Sequence, residues 1–366
     1  MKQNIIVSVG NALQVLEHFP GEVFDPNQFT VFDISLLELQ LRPVEIRNYK
    51  KIICALAFCG GKYPDLDLSK FDVVLVLDEE AIDRDSNTYL QTLRKKFNNH
   101  NVAIVCSGYH KDYPVNADAV YVYPYFLQNI LRCNLPRTVD SIKCHQRTFD
   151  ALLGGIKRHR KFIFDRLGQH CMLDACYVNL TTSASSSSLV KTIYRSPEID
   201  QLEDDVITNV INVQGFNGYV ELESGTKIAH IVPWNVYQNS LYSLIAETNF
   251  EDYFFFTEKT AKALYGQRPF VFFGAQGQLE DLRRLDFKTF GTVIDETYDS
   301  IKDPTERFTA AFEQVRWLFN QNHQYIFQKL QSIVEHNRIH IQNRQYFLTP
   351  LKEWLNKFFR HIDTTI

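Results

Sequence analysis

Short, unbroken apolar runs constrain this chain more than any other feature. Residues 71–77 (FDVVLVL), 52–59 (IICALAFC) and 102–106 (VAIVC) offer almost no polar position to water. A strand with one solvated face alternates apolar and polar residues, whereas a strand covered on both faces reads as a continuous run. Between such runs lie stretches with helical spacing, such as 86–98, and further strand patterns at 4–9, 29–34 and 119–123; a helix fits 12–18. Strand runs alternating with helical patterns predict α/β layering around a parallel sheet.

The pattern repeats downstream. Strands are expected at 149–153, 171–179, 240–246 and 269–273, with a short edge strand at 287–290 and helices at 160–168 and 257–265. Residues 136–146 are polar and aperiodic, and 181–188 are Ser-rich, as mobile loops are. From 304 onward Phe308, Phe312, Val315 and Leu318 recur at helical spacing. The expected organisation is a Rossmann-like domain over 1–145, a second over 146–303, and C-terminal helices over 304–366 that pack back on the first domain. The fold class is α/β: two doubly wound domains facing a cleft. In open α/β sheets ligands bind beyond the carboxyl ends of the strands, so the residues just after each strand matter most.

Composition narrows the function classes. The 366 residues are 45% hydrophobic and 22% charged, which suits packed cores. A net charge of −4 weighs against a dedicated duplex-DNA binder, whose affinity rests on phosphate contacts. Seven scattered cysteines without a CxxC pair suggest neither a disulfide framework nor a zinc knuckle, and so a reducing, cytoplasmic setting. The opening residues lack a signal-peptide pattern, and no run is long and apolar enough for a membrane span. The histidines show no metal-ligand spacing, no GxxxxGK[ST] loop occurs, and Val9-Gly10-Asn11 falls short of the dinucleotide fingerprint. No metal and no NAD-type cofactor are therefore expected.

Two stretches carry candidate chemistry. In LLGGIKRHR (152–160) a strand ends in glycines and a basic cluster opens a helix. Gly155, Lys157, Arg158, His159 and Arg160 stand where helix N–H groups and cations can hold a phosphate, although a solvated basic helix start reads the same way. In AETNFEDYFFFTEKTAKALYGQRPFVFFG (246–274) a strand ends at Glu247, an aromatic loop follows, and Thr257 is placed to cap a helix whose first turn holds Glu258 and Lys259. Glu258 complements the helix dipole and is ordinary there; Lys259 opposes it and is not.

These residues resemble the α-1,3-fucosyltransferase family. That family has a strand ending in Phe-Glu-Asn-Ser, an aromatic loop, Tyr-Val-Thr-Glu-Lys opening a helix, and then Val-Pro-Val-Val-x-Gly. This chain has LIAETN, FEDYFF, FTEKTAKAL and RPFVFFG. The likeness is sharp over 246–274 and extends in outline back to 149; it also covers phage-type proteins with HR-F and TEK motifs. Thr248 stands where the family has Asn, and the loop before Thr257 is one residue longer. The resemblance implies a GT-B glycosyltransferase that inverts configuration, uses a nucleotide-diphosphate sugar and needs no obligatory metal. It implies that Glu258 binds ribose, that Lys259 meets the diphosphate, and that Arg158 or Arg160 neutralises the leaving phosphate. Glu247, Thr248 and Asn249 would line the donor pocket.

An inverting transfer also needs a group to accept the acceptor's proton. Asp33, Asp78, Glu79 and His110 sit at strand ends of the first domain, with Asp78 foremost because it ends the most hydrophobic run; each also reads as a solvated loop charge. Trp234 and Tyr237 in HIVPWNVYQ are expected either to stack on a sugar or base or to pack beside a strand. The expected partners are a nucleotide sugar and a glycan or other hydroxyl acceptor. One rival reading is transfer to hydroxylated bases of DNA, using Arg94, Lys95, Lys96 and His100; another is a non-catalytic nucleotide-binding or assembly protein.

Overall fold

The computed structural model describes residues 4–9, 23–25, 27–34, 52–58, 66–82, 84–133, 147–182, 191–199 and 232–365. The helix expected at 12–18 and most of the Ser-rich stretch lie outside them. The chain divides into two compact units. One is Met1–Tyr125 with Tyr253–Phe255 and Asn343–Ile366; the other is Phe126–Asp252 with Phe256–Gln342. The division falls before the polar 136–146 stretch, and the C-terminal helices split between the units instead of forming one block.

The first unit opens with strands β1 (Asn4–Val9), β2 (Phe29–Ile34), β3 (Ile52–Phe58) and β4 (Val73–Ile82). Helix α1 (Ser86–Lys96) follows, then β5 (Val102–His110) and β6 (Val120–Val122). These six strands are all parallel, in the order β2-β1-β3-β4-β5-β6. Their apolar runs form one buried core from Ile5, Val7, Cys54, Leu56, Val74, Val76, Val102 and Ile104, closed by Leu90 and Leu93 of α1. That double-sided burial is the physical content of the unbroken runs.

The second unit begins with α2 (Tyr125–Cys133, from Phe126), β7 (Arg147–Gly155), α3 (Arg158–Gln169), β8 (Cys176–Thr181) and β9 (Thr192–Arg195). It continues with α4 (Trp234–Gln238) and β10 (Ser240–Ala246). Strand β11 (Tyr253–Phe255) then returns to the first unit and pairs antiparallel with β5. Helix α5 (Glu258–Tyr265), β12 (Phe270–Phe273), α6 (Gln278–Arg284), α7 (Pro304–Phe319) and α8 (His323–Gln342) complete the second unit. Helix α9 (Arg344–Thr365) belongs to the first, where Trp354 donates to the Ala117 carbonyl and Phe359 packs against Phe24 and Phe29.

The second sheet runs β12-β10-β7-β8-β9, parallel except for β9. Strand order reverses at β7: the next strand, β8, lies on one side and β10 on the other. The carboxyl ends of β7 and β10 therefore flank a topological switch point, the usual ligand crevice of such sheets.

Two strand expectations change. Residues 171–175 form a turn and a short 3-10 helix (Leu173–Ala175) before β8 starts at Cys176. Residues 287–290 are not a strand. The backbone N–H of Phe290 goes to the Glu296 carboxylate and that of Lys288 to the Asn337 side chain, while the Phe290 ring packs edge-on against Phe270 at 4.8 Å. The Phe290 ring is core, and the N–H groups of Lys288 and Phe290 go to side chains rather than to a ladder.

Candidate functional site

At the end of β7 the chain must turn sharply toward α3. Gly154 sits at φ +69°, the left-handed region glycine reaches at least cost, and the β7–β8 ladder shifts register between Leu152 and Gly154. The turn leaves the Gly155 carbonyl facing back toward the first turn of α3. Arg160 Nη1 donates to that carbonyl at 2.8 Å, and its Nη2 lies 3.5 Å from the Glu247 carbonyl at the end of β10. One guanidinium thus bridges the carboxyl ends of the two strands at the switch point.

Arg160 is 5% exposed, and its Nε has no partner among the described residues. No described carboxylate stands within ion-pair distance; its hydrogen-bond partners are backbone carbonyls. Burial holds its pKa below the ordinary arginine value, against the pull of Glu247 and Glu258. A buried cation without a hydrogen-bonded counter-ion is costly, and an anion at this position would offset that cost.

Glu247 is buried with 0% exposure. Its carboxylate accepts from Thr248 N at 3.1 Å, from Thr257 N at 3.0 Å, and from the hydroxyls of Thr257 and Thr260. Four donors consume the carboxylate, so Glu247 ties the end of β10 to the start of α5 instead of lining a donor pocket. Thr257 caps α5 as expected, its hydroxyl accepting from Lys259 N at 3.4 Å.

His159 is also fully buried. Its Nε2 meets the Glu247 carbonyl at 2.6 Å, its ring lies against Phe250 and Phe308, and its Nδ1 has no partner among the described residues. A carbonyl only accepts, so Nε2 carries the proton. Burial drives the pKa down to about 3, aided by Arg160, Lys157 and Lys259, so the imidazole is neutral at ordinary pH.

Two lysines converge on Thr248. Lys157 Nζ donates to its carbonyl at 2.7 Å, and Lys259 Nζ lies 3.5 Å from its hydroxyl while pairing with Glu258 at 2.6 Å. Lys157, Arg160 and Lys259 therefore gather around residues 247–248. The structure brings Gly155, His159, Arg160, Glu247, Thr248, Thr257, Glu258 and Lys259 together and leaves Asn249 half-buried on the adjoining loop. Arg158 is not part of the cluster. It points to Thr305 at the start of α7, donating to that hydroxyl at 2.7 Å. Trp234 and Tyr237, 3% and 4% exposed, are core rings rather than a stacking wall. Trp234 packs on Tyr265, and Tyr237 lies under the Arg268 guanidinium at 4.9 Å.

The proposed proton acceptors of the first unit fare differently. β4 runs on through Glu79 to Ile82, with a register shift between Asp78 and Ala81, so Asp78 does not end the strand. Its carboxylate is buried and accepts the Tyr89 hydroxyl at 2.6 Å. Asp33 lies on edge strand β2 opposite Ser8; the Asp33 and Glu79 side chains are outside the described positions. His110 Nδ1 accepts the Asp112 N–H at 3.3 Å, which leaves the neutral ring a donor at Nε2 and not the acceptor a general base needs. Arg94, Lys95 and Lys96 occupy the last turn of α1, where cations complement the helix dipole.

No protein-family model matches this chain, and no curated protein matches it. Among the described residues no helix is long and apolar enough to cross a membrane.

Proposed function

We propose that the second unit binds the diphosphate of a nucleotide sugar and that the protein is a metal-independent, inverting glycosyltransferase of the GT-B type. The reading rests above all on Arg160, a buried cation at the switch point, with Lys157 and Lys259 beside it and no described carboxylate paired to it. Three cations and an uncapped helix start suit a group carrying two or more negative charges. The resemblance of 246–274 to the α-1,3-fucosyltransferases supplies the nucleotide-sugar chemistry.

In such a transfer the acceptor oxygen attacks the anomeric carbon as the bond from that carbon to the diphosphate oxygen breaks. The electron pair leaves on the phosphate, where Arg160, Lys157 and Lys259 stabilise it; the hydroxyl proton passes to a general base. Stabilising charge that develops on a leaving group is the largest contribution a preorganised site makes. Glu258, released from Lys259 by the phosphate, then accepts ribose hydroxyls.

The test is a thermal-shift and calorimetry panel of UDP-, GDP-, dTDP- and CMP-sugars. Diphosphate-linked donors should raise the melting temperature more than the monophosphate-linked CMP-sugar; no response to any of them sinks the reading. The burial of Asp78 under Tyr89 favours a second reading, a nucleotide-binding protein without transferase activity. Binding with neither transfer nor donor hydrolysis would select it.

A further inference from the structure

The carboxyl end of β5 carries an aromatic cluster that the donor site does not use. β11 lies against it in antiparallel register, with Tyr253 opposite His110 and Phe254 opposite Tyr109. Neighbouring side chains on a strand point to opposite faces, so the ladder sorts the rings into two groups. On one face Tyr109 stacks on Phe254 with centroids 5.3 Å apart, and the Lys111 ammonium stands 5.2 Å from the Phe254 centroid. On the other, His110 meets Tyr253 edge-on at 5.3 Å and lies 4.8 Å from Tyr113, whose side is 40% exposed.

Polar groups border the second face. The Asp112 N–H held by His110 Nδ1 fixes the neutral ring as a donor at Nε2. The exposed Asp112 carboxylate comes within 4.8 Å of a His110 ring nitrogen. A flat ring, an N–H donor and a carboxylate acceptor thus lie together at a strand's carboxyl end, where open parallel sheets bind ligands.

We infer that Tyr113, Tyr253, His110 and Asp112 form a binding platform for one pyranose ring of a glycan. A pyranose has a face of C–H groups that packs on an aromatic ring and a rim of hydroxyls that both donate and accept. The C–H face lies on Tyr113, a hydroxyl accepts from His110 Nε2, and a neighbouring hydroxyl donates to Asp112. A wholly apolar ligand would leave those two polar groups unpaired. A nucleotide would bring phosphate toward the Asp112 carboxylate, and the neighbouring Lys111 ammonium stands over the Phe254 ring on the other face. A neutral, amphipathic ring fits best. Naming this sugar as the acceptor rests on the transferase reading; the platform lies in the unit that does not contain Arg160.

Saturation-transfer NMR on the full chain, with methyl pyranosides of glucose, galactose, mannose and N-acetylglucosamine and their β-linked disaccharides, tests it. At least one should receive saturation on its ring C–H protons. Tyr113→Ala and Asp112→Asn should each cut that signal at least fivefold while leaving any nucleotide-induced thermal shift unchanged. No signal from the whole panel, or a wild-type signal from Tyr113→Ala, overturns the platform. Sugar binding in a protein that responds to no nucleotide would leave the platform standing and remove the donor reading instead.

Discussion

Replacing Arg160 with Met separates a ligand-binding arginine from a structural one. In the ligand-free protein the change removes a buried charge and two donations to backbone carbonyls. The Glu247 carbonyl keeps His159, so one carbonyl, Gly155, loses its partner. An unsatisfied buried acceptor costs ~1–3 kcal/mol, while removing an unpaired buried charge returns a penalty of several kcal/mol. The two nearly cancel, and Arg160→Met should leave unliganded stability within about 1 kcal/mol of wild type or slightly above it. Ligand binding should respond far more. A hydrogen bond to a charged group contributes ~1.5–3 kcal/mol, which is roughly a 10- to 150-fold rise in Kd. At a ligand concentration of about 100 times Kd, the wild type gains ~2.7 kcal/mol from mass action. A 30-fold weaker variant gains only ~0.9 kcal/mol by the same relation. At about 2–4 °C per kcal/mol, thermal shifts of roughly 5–10 °C and 2–4 °C are expected. Scanning fluorimetry with and without the best-responding nucleotide sugar reads both quantities. An unliganded loss above about 3 kcal/mol, with the ligand shift intact, would refute the argument and make Arg160 a structural residue.

Four other perturbations test neighbouring parts of the reasoning. The neutral His159 has a folded pKa pushed down to about 3, so the unfolded chain binds the extra proton below its ordinary value. Stability is then fully present above about pH 6.5 and falls by up to ~1.4 kcal/mol per pH unit as the pH drops toward 3; His159→Gln should flatten a urea-unfolding pH series by about one proton. Glu247→Gln puts an amide N–H against either Thr257 N–H or Thr248 N–H and should cost ~2–4 kcal/mol in urea melts. Arg268 and Asp150 form a buried pair at 3.0 Å shared with Ser240 and Ser243; Arg268→Met alone should cost ~3–5 kcal/mol, and adding Asp150→Asn should recover part of it. Gly154→Ala, at φ +69°, should lose ~1 kcal/mol from backbone strain alone.

What was legible in the sequence follows from which signals are local. Strand β10 spans Ser240–Ala246, the bounds its apolar-rich pattern predicts, and α5 starts behind Thr257 because a cap needs only neighbours two and three residues away. The basic cluster after Gly155 was readable for the same reason. Glu247 was not. Its four donors come from residues up to thirteen positions away, and only the folded turn brings the Thr257 and Thr260 hydroxyls onto one carboxylate. Aromatic residues misled in both directions. Trp234, Tyr237, Phe287 and Phe290 are core, whereas Tyr253–Phe255, read as a loop, is an edge strand too short to show a period. A ring's apolar area is the same whether it faces a core or a ligand, so composition cannot sort the two. The C-terminal helices are expected to return to the first domain together; α9 lies in the first unit but α7 and α8 in the second, since an amphipathic stripe does not say which sheet it covers.

The two helix starts at the cluster are electrostatically unlike, and that difference decides where an anion can go. α5 is already satisfied: the Glu247 carboxylate takes the Thr257 N–H, Thr257 caps the first turn, and Glu258 adds a second negative charge there. A phosphate placed on that terminus would meet two carboxylates. α3 has the opposite character. Lys157 at its cap position offers no capping side-chain acceptor, and its first turn holds Arg158, His159 and Arg160 but no acid. Cations there oppose the helix dipole, a cost that only an anion at the same terminus reverses. The expectation that Lys259 and the basic start of α3 meet one diphosphate therefore narrows. On the proposed reading the α3 terminus and Arg160 would hold the anion, and α5 would contribute only the Lys259 side chain. Lys259 must then be shared away from Glu258. Their pair is 19% and 17% exposed, so loosening it costs more than the ~0–1 kcal/mol of a surface pair. It follows that Glu258→Gln, which releases Lys259, should strengthen binding of inorganic pyrophosphate while weakening binding of a full nucleotide that needs the carboxylate for its ribose. Opposite signs for the two ligands in calorimetry would support this division of labour, and equal losses for both would refute it.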